Sequence, residues 1–509
     1  VVMDVLSGNF IAGNVFAALT LVEYIETVRG INPYSDSLYQ PLINTLDQTA
    51  NQLSSQPRAA MLSAFHSHNE IISGTFDADL LEGFGGDDIL NGDSGDDELK
   101  GGEGNDRLYG EAGADILSGG EGSDLLMGGS GNDIYLYNKQ DGVDIISDNA
   151  GAYTLKFGEG ITKDNIIVRR NTSDVVITTE NSGQITITNL FGYADEENKN
   201  NLIEYFSFSD NSVLTFEQFK TLATIGSNQN DILLGFNSAD VITGKQGDDE
   251  LYGLKGNDTL NGGFGNDELV GAAGNDTYIF NVGDGSDVVD ESNGFDSLQL
   301  GQGIKESDIG IHVSAAGDLE VILSATDKII VKGMVNNSNG MVNLDRSIEQ
   351  LTFANGASWD IGRLQRQAML GTNKGDTIYG FNLNGVIDGK RGPDRLYGRS
   401  GNDTYLFNKG DGIDVISDSG GTDIIRFGAG INPEDLLIVR RFAAVSGNTD
   451  IATENTIGTD LVFFTRYGDQ ITVANANADA ANAIEKIEFA NGDVWNADQI
   501  QQRIQHTLK

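Results

Sequence analysis

The chain has no cysteine, only 5 prolines among 509 residues, 4 histidines, and 32 Lys and Arg against 76 Asp and Glu. Without Cys, neither a disulfide nor a thiolate metal site braces the fold. The shortage of cations leaves a net charge of -44. That charge repels nucleic acid and anionic membrane surfaces, which attract basic patches. No apolar run reaches the ~18 residues of a membrane-spanning helix. The opening Val1, Val2 and Met3 are not followed by a basic-then-apolar leader, so the chain reads as a segment of something longer. His66 and His68 lack a third His or Cys nearby and read as a surface pair rather than a transition-metal site. The scattered His residues supply no Ser/His/Asp set, no EF-hand spacing occurs, and no Asp-Pro step is present for self-cleavage. Catalysis within residues 1–509 is not expected.

What is abundant is glycine, 66 residues. Many Gly with few Pro point to ordered tight turns rather than flexible linkers. Residues 1–70 are the exception. Phe16, Leu19, Val22, Tyr24 and Ile25, then Leu42, Leu46 and Leu53, have helical spacing, punctuated by Pro33, Pro41 and Pro57. They read as a helical segment ending an upstream domain.

From residue 71 the chain is periodic. Asp79, Asp88, Asp97, Asp106, Asp115, Asp124 and Asp133 recur every nine residues. Gly86, Gly95, Gly104, Gly113, Gly122 and Gly131 stand two places before the later six, and Leu81, Leu90, Leu99, Leu108, Leu117, Leu126 and Tyr135 two places after all seven. A second block carries Asp231, Asp240, Asp249, Asp258, Asp267 and Asp276, with Gly247, Gly256, Gly265 and Gly274. A third carries Asp376, Asp394 and Asp403, with Gly392 and Gly401, but Gly385 replaces its second Asp. The three blocks cover residues 71–136, 224–279 and 369–406. Each leads into a β-rich segment, giving units 71–223, 224–368 and 369–509. These segments open on IYLYN, TYIFN or TYLFN, then place Asp144, Asp287 and Asp414 eleven residues after the last block aspartate. Each ends in a short helix; Thr215 with Gln218 and Asn496 with Gln499 have capping-box spacing.

Two nonapeptides make one turn of a flattened right-handed coil. Residues eighteen apart then stack in a parallel sheet, ~4.8 Å between strands. Leu81, Leu99, Leu117 and Tyr135 are expected in one inner row, and Leu90, Leu108 and Leu126 in the facing row. Glycine permits the turn, and aspartates with backbone carbonyls meet at one edge as an all-oxygen cage. Such a cage suits calcium better than magnesium, which wants stricter octahedral geometry. A metal-free solenoid is the alternative, but stacked carboxylates without cations would repel.

The pattern resembles the RTX (haemolysin-type) nonapeptide GGxGxDxUx, in which U is large and apolar. The resemblance covers about 160 residues, and the following segments, about 90 residues each, resemble calcium-binding-related regions of large RTX exoproteins. It implies a mainly β fold, three right-handed parallel β-rolls alternating with β-rich capping segments. It also implies that Asp79 pairs with Asp97, Asp88 with Asp106, and so on to Asp115 with Asp133. The second block pairs Asp231 with Asp249 through Asp258 with Asp276, and the third pairs Asp376 with Asp394. Asp144, Asp287 and Asp414 are expected to close the blocks, for roughly ten Ca2+ in all. Implied too are export through a type I secretion apparatus of Gram-negative bacteria, an extracellular or cell-surface location, and folding on calcium outside. Two further readings are a module binding a host glycan or receptor, with Phe191 and Tyr193 or Phe463, Phe464 and Tyr467 as contacts, and the tail of a secreted toxin or hydrolase.

Overall fold

The computed structural model describes residues 69–148, 151–180, 183–190, 202–336, 341–441, 460–476 and 483–505. The expected helical segment, His66, His68, Phe191 and Tyr193 lie outside them. The chain divides into two compact units, residues 1–224 and 225–509. The second and third repeat blocks share the latter.

The first unit shows how nine-residue periodicity becomes a roll. Each nonapeptide places its apolar residue on a short strand, and the glycine-rich remainder turns the chain to the opposite sheet. Successive nonapeptides therefore alternate between two sheets. One holds parallel strands Leu80–Gly85, Glu98–Glu103, Ile116–Glu121 and Ile134–Tyr137, in register Leu81↔Leu99, Leu99↔Leu117 and Leu117↔Tyr135. The other holds Ile71–Ser73, Ile89–Asn91, Arg107–Ala112 and Leu125–Ser130, in register Ile72↔Leu90, Leu90↔Leu108 and Leu108↔Leu126. Both rows are buried. Burying one Leu side chain stabilises by about 1.5–3 kcal/mol, so each coil adds its own increment to a core that grows along the roll.

The segments after the blocks continue the rolls. Tyr135 pairs with Leu155, and Leu155 with Phe206; across the roll, Leu126 pairs with Ile146, and Ile146 with Ile187. Each sheet then turns antiparallel at its last strands. The second unit repeats the plan twice, along Leu233, Leu251, Leu269, Val289 and Val331, and along Ile378, Leu396, Ile416 and Val473. Here one core runs from Leu233 to Ile500.

Three short helices close these segments: α1 (Phe216–Ala223), α2 (Ile361–Ala368) and α3 (Ala497–Arg503). The capping boxes Thr215/Gln218 and Asn496/Gln499 are formed as their spacing predicts, and Asp360 caps α2. Among the described residues no helix is long and apolar enough to cross a membrane.

Candidate metal centres

The same coiling that stacks the leucines stacks the aspartates two residues before them. In each pair the backbone N–H of one aspartate donates to Oδ1 of the aspartate one coil further on. In the first block this joins Asp79 to Asp97, Asp88 to Asp106, Asp97 to Asp115, Asp106 to Asp124 and Asp115 to Asp133, at 2.7–2.9 Å. The second block joins Asp231 to Asp249, Asp240 to Asp258, Asp249 to Asp267 and Asp258 to Asp276, at 2.7–2.8 Å. In the third, Asp376 donates to Asp394, and Gly385 donates to Asp403 through its own N–H, both at 2.7 Å. A glycine thus removes one carboxylate without breaking the ladder.

The ladders outlast the nonapeptide. Where the chain gains two residues per coil, Asp124, Asp267 and Asp394 donate to Asp144, Asp287 and Asp414, at 2.9–3.1 Å. The three closing aspartates named from sequence therefore stand in line. Two further aspartates were not anticipated: Asp276 donates to Asp296 and Asp403 to Asp423, each at 2.8 Å. These in turn donate to Glu349 and Glu485, which stand just before strands Gln350–Phe353 and Lys486–Phe489, more than fifty residues on.

Oδ1 is spent on register; Oδ2 is not. In Asp97, Asp106, Asp115, Asp124, Asp133, Asp144, Asp258, Asp267, Asp276, Asp394, Asp403 and Asp423, Oδ2 is buried without a hydrogen-bond partner. An unsatisfied buried carboxylate oxygen is costly unless a cation or a proton meets it. The first aspartate of each block differs. Oδ2 of Asp79, Asp231 and Asp376 accepts from the N–H and hydroxyl of Thr75, Ser227 and Thr372, four residues earlier.

Glycine leaves room beside these oxygens. A methyl group on Gly92 would stand 2.5 Å from Oδ2 of Asp97 and 2.8 Å from the carbonyl oxygen of Gly110 in the next coil. Gly83, Gly101, Gly110, Gly244 and Gly253 have the same two neighbours from their own coils. A carboxylate oxygen and a backbone carbonyl therefore converge on the space that a missing side chain leaves. This column, five residues before each aspartate, was not singled out in the sequence. The glycines that were, two places before the aspartates, adopt left-handed backbone: Gly86, Gly95, Gly104, Gly113, Gly122 and Gly131 have φ between 116° and 154°. Gly247, Gly256, Gly265, Gly274, Gly392 and Gly401 do likewise. They turn the chain at the edge where the carboxylates gather.

The electrostatics follow from the crowding. Burial first, and neighbouring carboxylates after it, push Asp124 up to about 7, Asp258 to about 7, Asp144 to about 8 and Asp287 to about 8. In the third block Asp403 and Asp414 rise to about 7 for the same reasons. All the converging donors are oxygens, several anionic. That donor set fits a hard divalent cation of flexible coordination number, and lacks the nitrogen and sulfur ligands of zinc.

The family described as RTX calcium-binding nonapeptide repeat matches residues 67–99, 100–135, 225–251, 243–278 and 379–413. The haemolysin-type calcium binding protein related domain matches residues 174–218, 318–362 and 460–499. No curated protein matches the chain. Among solved structures it is similar to the extracellular lipase LipA from Serratia marcescens, at 18% identity over 56% of this chain and 40% of that one, with a TM-score of 0.19. The chain thus spans less than half the length of that lipase. The nonapeptide matches fall on the three aspartate ladders and the related-domain matches on the strands that continue each roll; the chain belongs to the RTX haemolysin-type calcium-binding repeat proteins.

Proposed function

We propose that these ladders hold roughly ten Ca2+, and that calcium is what folds this region once it is outside the cell. The observation that carries the reading is the row of buried, unpartnered Oδ2 atoms facing backbone carbonyls across the glycine gaps. The ligands are the aspartates at 79, 88, 97, 106, 115, 124, 133 and 144, at 231, 240, 249, 258, 267, 276 and 287, and at 376, 394, 403 and 414, with turn carbonyls of the glycines between them. Bound calcium supplies positive charge, about twenty units in all against a net charge of -44.

Without the cation, stacked carboxylates repel and the short strands lose their register, which leaves an extended chain suited to a narrow export channel. Extracellular calcium modules bind at ~10⁻⁴–10⁻³ M, so calcium outside would fold them and calcium inside would not. Export by a type I apparatus and an extracellular location follow as the setting in which such a device works. The region is then a folding and stiffening module, not a catalyst.

A ligand-binding role for the segments after the blocks finds less support. Phe463 is fully buried and serves the core. Tyr467 is half-buried, with Nζ of Lys409 lying 3.9 Å from its ring centroid.

Limited proteolysis of this chain at nanomolar and at millimolar calcium tests the reading. Protection of residues 71–136 and 224–279 only at millimolar calcium is expected. Equal cleavage at both concentrations would sink the proposal.

A further inference from the structure

We propose that the second and third blocks each end in an additional calcium site that the first block lacks, formed by Asp276, Glu291 and Asp296 in one and Asp403, Asp418 and Asp423 in the other. The proposal rests on the reading of the ladders as calcium sites, and extends it to four side chains outside the nonapeptides.

Each trio brings one oxygen per carboxylate within 4.8 Å of the others. All six residues are buried, none more than 4% exposed. Acids crowd harmlessly on surfaces; here three anions share a dry pocket. In addition, Oδ2 of Asp276, Asp403 and Asp423 has no hydrogen-bond partner. The remaining contacts hold the acids in place without neutralising them. Tyr278 donates its hydroxyl to Glu291, and Tyr405 to Asp418. The Ser292 N–H donates to Glu291 at 3.0 Å, and those of Ser419 and Gly420 to Asp418 at 2.6 and 3.0 Å. Like charges so close and so dry require a bound cation or protons.

The position within the roll says what the cluster replaces. One coil earlier, the space beside Gly253 is bounded by Oδ2 of Asp258 and, 2.9 Å away, by the carbonyl oxygen of Gly271. Beside Gly271 the three nearest atoms are Oδ2 of Asp276, the Tyr278 hydroxyl and, at 2.7 Å, Oε1 of Glu291. Beside Gly398 they are the Tyr405 hydroxyl, Oδ2 of Asp418 and, at 2.8 Å, Oδ2 of Asp403. Where the coil below borders its gap with a carboxylate and a backbone carbonyl, each trio brings three carboxylates together. Higher ligand charge raises calcium affinity, and an all-oxygen trio admits no softer metal readily.

The first block shows the counter-case. Asp133 and Asp148 occupy the first two places, with the Tyr135 hydroxyl donating to Asp148 at 2.6 Å. The third place, twenty residues after Asp133, is Tyr153. Its ring is buried edge-on against Tyr135, with centroids 5.5 Å apart. A phenol fills the pocket where the other blocks put an anion.

Native mass spectrometry of the intact chain in calcium counts the ions. The double variant Glu291→Gln/Asp418→Asn is expected to carry two fewer than the unaltered chain, whereas Asp148→Asn carries the same number. A double variant with the full complement, or an Asp148→Asn chain short of one ion, overturns the proposal. If the unaltered chain binds no calcium at all, the reading of the ladders falls, and this proposal with it. Should the double variant fail to fold, crystals of the unaltered chain grown in calcium decide by anomalous scattering. Ions at both trios support the inference, and ladder ions with none at the trios overturn it.

Discussion

The backbone N–H of Asp106 donates to Oδ1 of Asp124, one coil along, at 2.8 Å, while Oδ2 of the same Asp124 is buried with no partner. One carboxylate therefore does two separable things. One oxygen fixes the register of the roll, and on the proposed reading the other meets a cation.

That division predicts different outcomes for two substitutions at Asp115, whose Oδ1 accepts from Asp97 at 2.8 Å. Asp115→Asn keeps an acceptor for the N–H but loses the anion. It should weaken calcium binding and leave the calcium-saturated fold largely intact. Asp115→Ala also strands a buried N–H, at an added cost of about 1–3 kcal/mol. Thermal melts in saturating calcium should therefore rank the unaltered chain above Asn and Asn above Ala. Equal melting of Asn and Ala would deny the register role.

The glycine gaps make a second prediction. A Cβ at Gly92 would press on both Oδ2 of Asp97 and the Gly110 carbonyl, so Gly92→Ala should lower calcium affinity in the first block about tenfold or more, some 1.4 kcal/mol. Gly310→Ala is the control, since its nearest neighbours would lie 3.9 Å away. Its effect should stay within about 0.5 kcal/mol. Calcium titrations followed by circular dichroism compare the two, and similar behaviour would show that the gaps hold nothing.

The raised carboxylates set a pH dependence of definite sign. Unfolded aspartate titrates near ~3.9. In the folded, calcium-free roll Asp124 and Asp258 sit near 7, and Asp144 and Asp287 near 8, because burial disfavours their charge. The folded state thus binds more protons than the unfolded one between those limits, and stability falls as pH rises. In chelator, β structure should be greatest near pH 4 and decline up to about pH 8. With calcium the trend inverts, because ions and protons compete for the same oxygens. Calcium affinity should climb between pH 6 and 8 with release of protons, measurable in weakly buffered titrations. Chelated protein that gains structure as pH rises would contradict this.

Much of this was legible because the fold is written in a period. A slip of one residue anywhere between Asp79 and Asp133 would have moved Leu99 or Leu117 out of its row, so nine-residue spacing fixed both the sheet register and the edge where carboxylates meet. The capping boxes were readable for a local reason, three-residue reciprocity. What escaped lay where the period stops. Asp296 and Asp423 join the ladders only because each coil has grown to twenty residues. Glu349 and Glu485 arrive from 53 and 62 residues away, a pairing set by tertiary packing alone. The sequence does carry one signal for the acids beside them. In all three segments an acid stands thirteen residues after the block's closing tyrosine, as in Tyr135 with Asp148, Tyr278 with Glu291 and Tyr405 with Asp418.

The central claim is that the cation, not the apolar rows alone, holds these rolls folded. Far-UV circular dichroism of the chain at neutral pH, with millimolar calcium and then with excess chelator, tests it most directly. The account predicts a strong β signal in calcium that collapses on chelation and returns when calcium is restored. A chain equally structured in chelator would contradict it.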